Sequence, residues 1–266
     1  MQIGISTSTS GQLAGPATLR AIAAAAGQLG YASVWFGNDS LVSADPGDPG
    51  RALPGLDPGG VDPVATLAAS TSMTEAVRVG AALRVEPWHR PDVVARSMLA
   101  LDAMSGGRLT VGLGADGPHR VTQLESVLDA LGELAGQERQ PAVLLSAADL
   151  TGLEHLAGQA AGWHARGVRL DRIAAEADRM RELRWARGAG PALVVPAAVV
   201  LTEYPLSWSR APYRGDLEQV TADLDIVRRA GADEVILGID GDAGLDQALD
   251  VFARVAEALE QRLPSA

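Results

Sequence analysis

Short runs of β-branched and small apolar residues alternate along the chain with longer stretches in which alanine, leucine and valine recur every three to four positions. The runs QIGIS (2–6), ASVWFG (32–37), VRVGAAL (77–83), RLTVGLG (108–114), PAVLLS (141–146), AAGWHA (160–165), PALVVPAAVVL (191–201) and DEVILGID (233–240) read as strands. The stretches PATLRAIAAAAGQLG (16–30), VDPVATLAAST (61–71), RPDVVARSMLALDAM (90–104) and RVTQLESVLDALGELA (120–135) read as helices. So do DLTGLEHLAGQ (149–159), LDRIAAEADRMRELRWAR (170–187), GDLEQVTADLDIVRRAG (215–231) and GLDQALDVFARVAEALEQRL (244–263). Pro16 stands in the opening turn of the first helix and Gly30 at its end, where a helix tolerates each. Strands that alternate strictly with helices run parallel, because each helix returns the chain to the starting edge. Eight such units in about 250 residues predict a (β/α)8 TIM barrel.

One stretch breaks this alternation. LVSADPGDPGRALPGLDPGGVDP (41–63) is too rich in proline and glycine for helix or sheet. It leaves the second strand on the C-terminal face, where barrels build their sites, and reads as a lid or as a surface insertion. The rest is continuous enough to place residues 1–266 in a single domain, since 266 residues with 47% hydrophobic content can bury one large core. A net charge of -11 repels phosphate backbones and anionic lipid, so neither nucleic acid nor membrane is expected as a partner. The opening MQIGISTSTS has no basic or apolar leader, and no apolar run reaches the roughly 18 residues of a spanning helix, so a cytoplasmic location is expected.

Absent residues narrow the chemistry. Without cysteine there is no thiol nucleophile, disulfide, iron-sulfur cluster or thiolate zinc site. All 22 basic residues are arginine, so Schiff-base chemistry through lysine is excluded. His89, His119, His155 and His164 show neither H-x-H nor H-E-x-x-H spacing, and no metal site is expected. Carboxylates, arginines, hydroxyls, histidines or a bound cofactor must carry any reaction.

Within LDAMSGGRLTVGLGADGPH (101–119), Gly112, Gly114 and Gly117 spell G-x-G-x-x-G between a strand and a helix. A dinucleotide fingerprint belongs to the first turn of a doubly wound sheet, with an acid ending the next strand. Here three units come first and the next strand ends in Leu144-Leu145-Ser146. The glycines instead fall at the C-terminal mouth, where missing side chains leave room for a flat ring. The preceding SGGR turn has a structural reading: Gly106 or Gly107 ends the helix left-handed, and Arg108 neutralises its last carbonyls or pairs with Asp102.

These segments together resemble the bacterial-luciferase-like oxidoreductases. The resemblance rests on Gly30-Tyr31, Ser33-Val34-Trp35, Pro91, Leu101-Asp102, Ser105-Gly106-Gly107-Arg108 and Gly112-x-Gly114, followed by PAVLLSAADLTGLEHLAGQAAGW and ADEVILGI. It implies a compact luciferase-like barrel that uses reduced FMN or coenzyme F420 on a small organic substrate, and a homodimer paired through a helical flank. It also implies a cofactor bed at Leu83, Arg84 and Val85, where members often carry a non-proline cis peptide, and at Gly112 and Gly114. Ser146, Ala147 and Ala148 fall where the family anchors phosphate on backbone amides at a helix start, a position that reads equally as an ordinary helix cap.

The second strand ends in Asn38-Asp39 where the family has aspartate-histidine, so a carboxylate replaces a proton-handling histidine. Asp39, His89 and Asp116, each just past a strand's end, are the catalytic candidates. Histidine's ordinary titration range suits proton exchange near neutral pH. Two other readings stand beside this one. The chain is a degenerate barrel that binds a flavin or another small molecule without turnover, or a carboxylate hydrolase using Asp39, Asp116 and Glu203. For association, the helix 91–104 offers Val93, Val94, Met98 and Leu101 on more than one face.

Overall fold

Strands form where the β-branched runs stand, in a computed structural model that describes residues 1–8, 16–37, 63–71, 77–136, 139–186, 190–207, 209–239 and 244–261. In chain order the elements are β1 (Gln2–Ser8), α1 (Pro16–Gln28), β2 (Ser33–Gly37), α2 (Pro63–Thr71), β3 (Arg78–Arg84), α3 (Pro91–Met104), β4 (Leu109–Gly114) and α4 (Arg120–Ala135). They continue with β5 (Ala142–Ala147), β6 (Gly162–Ala165), α5 (Ile173–Glu182), β7 (Ala192–Leu201), β8 (Arg214–Gly215), α6 (Leu217–Arg229), β9 (Glu234–Ile239) and α7 (Leu245–Gln261). The order β6-β5-β4-β3-β2-β1-β9-β7 closes into a ring through β6 against β7. Every pairing is parallel, and β8 is a short spur on β7, so the closed parallel barrel expected from the sequence is present.

Two helices differ from the pattern. The stretch 149–159 forms a turn and then a 3-10 segment, Glu154–Gln159, instead of an α-helix. Gly152 at φ +78 breaks the first turn, and the Asp149 carboxylate takes the Thr151 amide at 2.8 Å, an alternative to helical bonding. The stretch 170–187 is helical only over Ile173–Glu182, and the Trp185 indole donates to the Met180 carbonyl at 2.8 Å beyond its end.

Alternation along each strand divides the core. Outward residues such as Ile5, Phe36, Leu113 and Trp163 pack with the helices, whereas Trp35, Leu144, Val194 and Ile236 form a separate cluster inside the barrel. Trp35 lies across β3: a Cβ on Gly80 would stand 2.0 Å from its ring. At the N-terminal end Ser33 donates to the buried Glu234, whose other oxygen takes Arg78 Nη2 at 2.8 Å, and the Trp35 indole donates to Ser33 Oγ at 2.8 Å. This end of the barrel is closed by paired polar groups.

The SGGR turn performs the structural task read from it. Gly106 and Gly107 both take positive φ, +66 and +80. The Arg108 guanidinium donates to the carbonyls of Ser105 (2.7 Å), Thr71 (3.2 Å) and Val77. Of the two readings of Arg108 the carbonyl contact is the one observed, and Asp102 faces Arg139, 3.6 Å away.

Candidate active site

The inward register of β4, β5 and β6 brings Gly112, Gly114, Ser146 and His164 together beneath the C-terminal mouth. The His164 imidazole stacks on Trp35, with centroids 5.4 Å apart and an interplanar angle of 22°. Its Nδ1 lies 2.9 Å from Ser146 Oγ, and its buried Nε2 has no hydrogen-bond partner among the described residues. Burial first, and the nearby Arg166 charge second, press its pKa down to about 3, so the ring is neutral near pH 7.

Above this pair, charge converges on one carboxylate. Asp116 lies two residues past β4 and is half exposed. Arg84, the last residue of β3 and 7% exposed, places Nη1 3.5 Å from Asp116 Oδ2. Arg166, just past β6, donates through Nη2 to Asp116 Oδ1 at 2.9 Å. Each guanidinium takes a different oxygen of the same acid.

The expected notches at Gly112 and Gly114 are not open. A Cβ on Gly112 would meet the His164 ring at 3.0 Å, and one on Gly114 the Ser146 carbonyl oxygen at 2.9 Å. Neighbouring strands fill the space that the sequence suggested for a flat ring. Above His164 and Ser146, the strand exits of β3, β4 and β6 supply Arg84, Asp116 and Arg166.

At the exit of β3, only Arg84 of the three predicted residues faces inward, since Leu83 and Val85 are buried against the helices. No peptide bond among the described residues is cis. The Val85 amide is used by the Gly114 carbonyl at 2.7 Å. His89 sits in the following turn, its Nδ1 accepting the Glu86 amide at 3.1 Å and its ring edge-on to the exposed Trp88. A neutral His89 anchored through Nδ1 carries its proton on Nε2.

Past β5 the predicted phosphate loop is occupied differently. Ser146 points into the barrel toward His164, and Ala147 is buried, its carbonyl accepting the Trp163 indole at 2.9 Å. Ala148 is exposed, but no α-helix starts there, which removes the aligned amides expected of a phosphate cradle. Asp39 and nearly all of the 41–63 loop lie outside the described residues.

The sequence reading did not single out His164 or Arg166 as site residues. The signal that identifies His164 was the alternation in GWHA, which turns Trp163 outward and His164 inward once β6 is accepted as a barrel strand. Nothing in the sequence places Arg166 beside Asp116, because fifty residues separate them and only the ring brings their strand ends together.

Among the described residues, no group of His, Asp and Glu is arranged to hold a metal ion, and no helix is long and apolar enough to cross a membrane. A family model described as luciferase-like monooxygenase matches residues 1–130, so the resemblance read in the sequence holds there. A monooxygenase from Streptomyces bottropensis superposes with a TM-score of 0.70 at 18% identity, covering 98% of this chain and 99% of its own. The coenzyme F420 dependent tetrahydromethanopterin reductase of Methanopyrus kandleri gives 0.68 at 12% identity, with 97% and 99% covered. For the EDTA monooxygenase of Chelativorans sp. BNC1 the values are 0.65, 13%, 99% and 95%. These likenesses establish a shared fold over the whole length. No curated protein sequence matches the chain significantly.

Proposed function

We propose that this chain, luciferase-like in sequence over residues 1–130 and in fold throughout, is an oxidoreductase that binds reduced FMN or coenzyme F420 at the C-terminal mouth and acts on a small organic substrate. The observation that carries this reading is the unpartnered Nε2 of His164, buried beneath the inward-facing polar exits of β3 to β6. A buried polar atom calls for a partner. The polar edge of a flavin or deazaflavin ring alternates carbonyl acceptors with an N–H, and a neutral imidazole nitrogen can meet either. His164, Arg84 and the Gly114 backbone are the groups that would hold such a ring, at a level above the filled Gly112 notch.

When bound, the reduced ring supplies the electron pair for the reaction. The chain's own groups bind, orient and handle protons. Asp116, shared by two guanidiniums, balances charge at the mouth, so proton handling falls to His89 Nε2 and to Asp39. Titration with FMN and with F420, followed by visible absorption, should show saturable binding of one of them. His89→Ala should slow single turnover by about 10²-fold or more while cofactor affinity stays unchanged. A protein that binds neither ring overturns the proposal, and a loaded protein indifferent to substitution of both His89 and Asp39 supports the non-catalytic reading.

Association as a homodimer through α3 is part of the same reading. Met98 and Leu101 are spent on the barrel core and Val94 is half-buried, so Val93 and Met104, both exposed, are what α3 offers a second copy. A monomeric mass by light scattering at micromolar concentration overturns this part.

A further inference from the structure

We infer that Ser33 and Glu234, at the N-terminal end of the barrel, are positioning residues for His164 beneath the mouth, acting through Trp35. The inference rests on the reading of His164 as a residue that holds a ligand ring, and it names what sets that residue's geometry. Contacts run in sequence from one end of the barrel toward the other. Arg78 Nη2 donates to Gln2 Oε1 at 2.6 Å and to Glu234 Oε2 at 2.8 Å. Ser33 Oγ donates to Glu234 Oε1 and accepts the Trp35 indole N–H at 2.8 Å. The Trp35 ring then stacks on His164 at an interplanar angle of 22°, and His164 Nδ1 lies 2.9 Å from Ser146 Oγ.

Glycines on three strands make room for this column. A Cβ on Gly4 of β1 would collide with Ser33 Oγ and Glu234 Oε1, and one on Gly80 of β3 with the Trp35 ring. One on Gly112 of β4 would stand 3.0 Å from the His164 ring. Leu144, Val194 and Ile236 pack with Trp35 in the inner cluster. An indole packed on its faces and held by its one N–H is fixed in orientation, because interiors of this density leave no space for a second. An imidazole stacked on it takes its plane from it.

The two ends of the column differ in a way that agrees. Glu234 is 2% exposed, and a carboxylate buried so deeply contributes little net stability even when paired, since desolvation offsets its attraction to Arg78. What the pair contributes is geometry: with both carboxylate oxygens engaged, the Ser33 hydroxyl is directed at Glu234 and presents a lone pair to the indole. At the other end His164 Nε2 has no hydrogen-bond partner among the described residues. Its aim is set by Ser146 at Nδ1 and by the face of Trp35.

Imidazole nitrogen NMR on the ligand-free protein tests the column, with the His164 signals identified by their loss in His164→Gln. Ser33→Ala removes one oxygen and takes the acceptor from the indole N–H. It should move the His164 signals while those of His89, His119 and His155 stay in place. In Trp35→Phe, which keeps a ring and loses the N–H, adding Ser33→Ala should move His164 no further. Where Ser33→Ala fails to fold, Glu234→Gln, of nearly equal size, gives the same comparison: it replaces charge-assisted bonds by neutral ones and should move the same signals in the same direction. His164 signals that stay in place in both variants, or that Ser33→Ala moves as far in the Trp35→Phe background, overturn the inference.

Affinity for the ring is read separately. Ser33→Ala should weaken FMN or F420, whichever binds, by about tenfold. If the His164 signals move and that affinity does not, the column stands and the reading of His164 as a ring-holding residue fails. If neither ring binds the unaltered protein, the proposed cofactor fails, and the NMR comparison alone decides the column.

Discussion

His164 is where a single residue has the widest consequences. Its ring is stacked, hydrogen bonded on one side and wholly buried, and burial holds its pKa at about 3 against an ordinary value of 6.5. The unfolded chain therefore binds a proton at this residue between those two values that the folded chain does not. Stability is complete above about pH 6.5 and falls as pH drops toward about 3, with His164 alone accounting for about 2 kcal/mol of loss by pH 5. His164→Gln should shrink the difference in unfolding free energy between pH 7 and pH 5 by about that amount, measured by urea titration at each pH. An unchanged difference means that the ring titrates normally. At this scale the sequence was informative where strand ends carry unusual residues: Arg84 and Asp116 were both singled out and stand in contact. It was silent on His164 and Arg166, because their importance lies in partners set by register with β5 and β4 and not in any local motif.

At the scale of elements, the excursion from β7 to α6 shows how side chains hold an irregular segment in place. The Asp223 carboxylate, on α6, accepts from both terminal nitrogens of Arg210, at 2.6 and 2.9 Å, and from the Tyr213 amide at 2.7 Å. Gln219 on the same helix exchanges two hydrogen bonds with the Leu206 backbone, each 2.8 Å, while Asp216 caps the helix in a capping box. Tyr213 is held at φ 61, a conformation that a non-glycine side chain adopts only under such constraint. Asp223→Ala leaves a largely buried guanidinium without its acid and should cost about 3 kcal/mol, with early tryptic cleavage after Arg210 as its signature. Cleavage no faster than in the unaltered protein would show that the strap is not held by this pair. Periodicity revealed seven of the helices because each has a continuous apolar stripe. It misread 149–159, whose apolar spacing is helical but whose Gly152 and Asp149-Thr151 turn favour another local solution. The spur β8 is two residues long and has no pattern to read.

For the molecule as a whole, the informative signal was the count of strand and helix units, which is why the barrel was legible when the occupants of its mouth were not. Closure depends on Gln2–Ser8 pairing with Glu234–Ile239, with Gln2 opposite Glu234 and Ile5 opposite Leu237. During synthesis the first strand leaves the ribosome long before its second neighbour exists. At typical elongation rates the wait is about 10–50 s. Throughout it, β1 pairs on one side only, and an unpaired strand edge is a template for association with other chains. Nascent chains halted after Arg229 are expected to be degraded readily by added protease, and those extended past Gln261 to resist it. The strand β1 is thus the half of a clasp made before its partner β9 and fastened only when that partner arrives, and its solubility while open is a demand on translation that the finished barrel no longer displays.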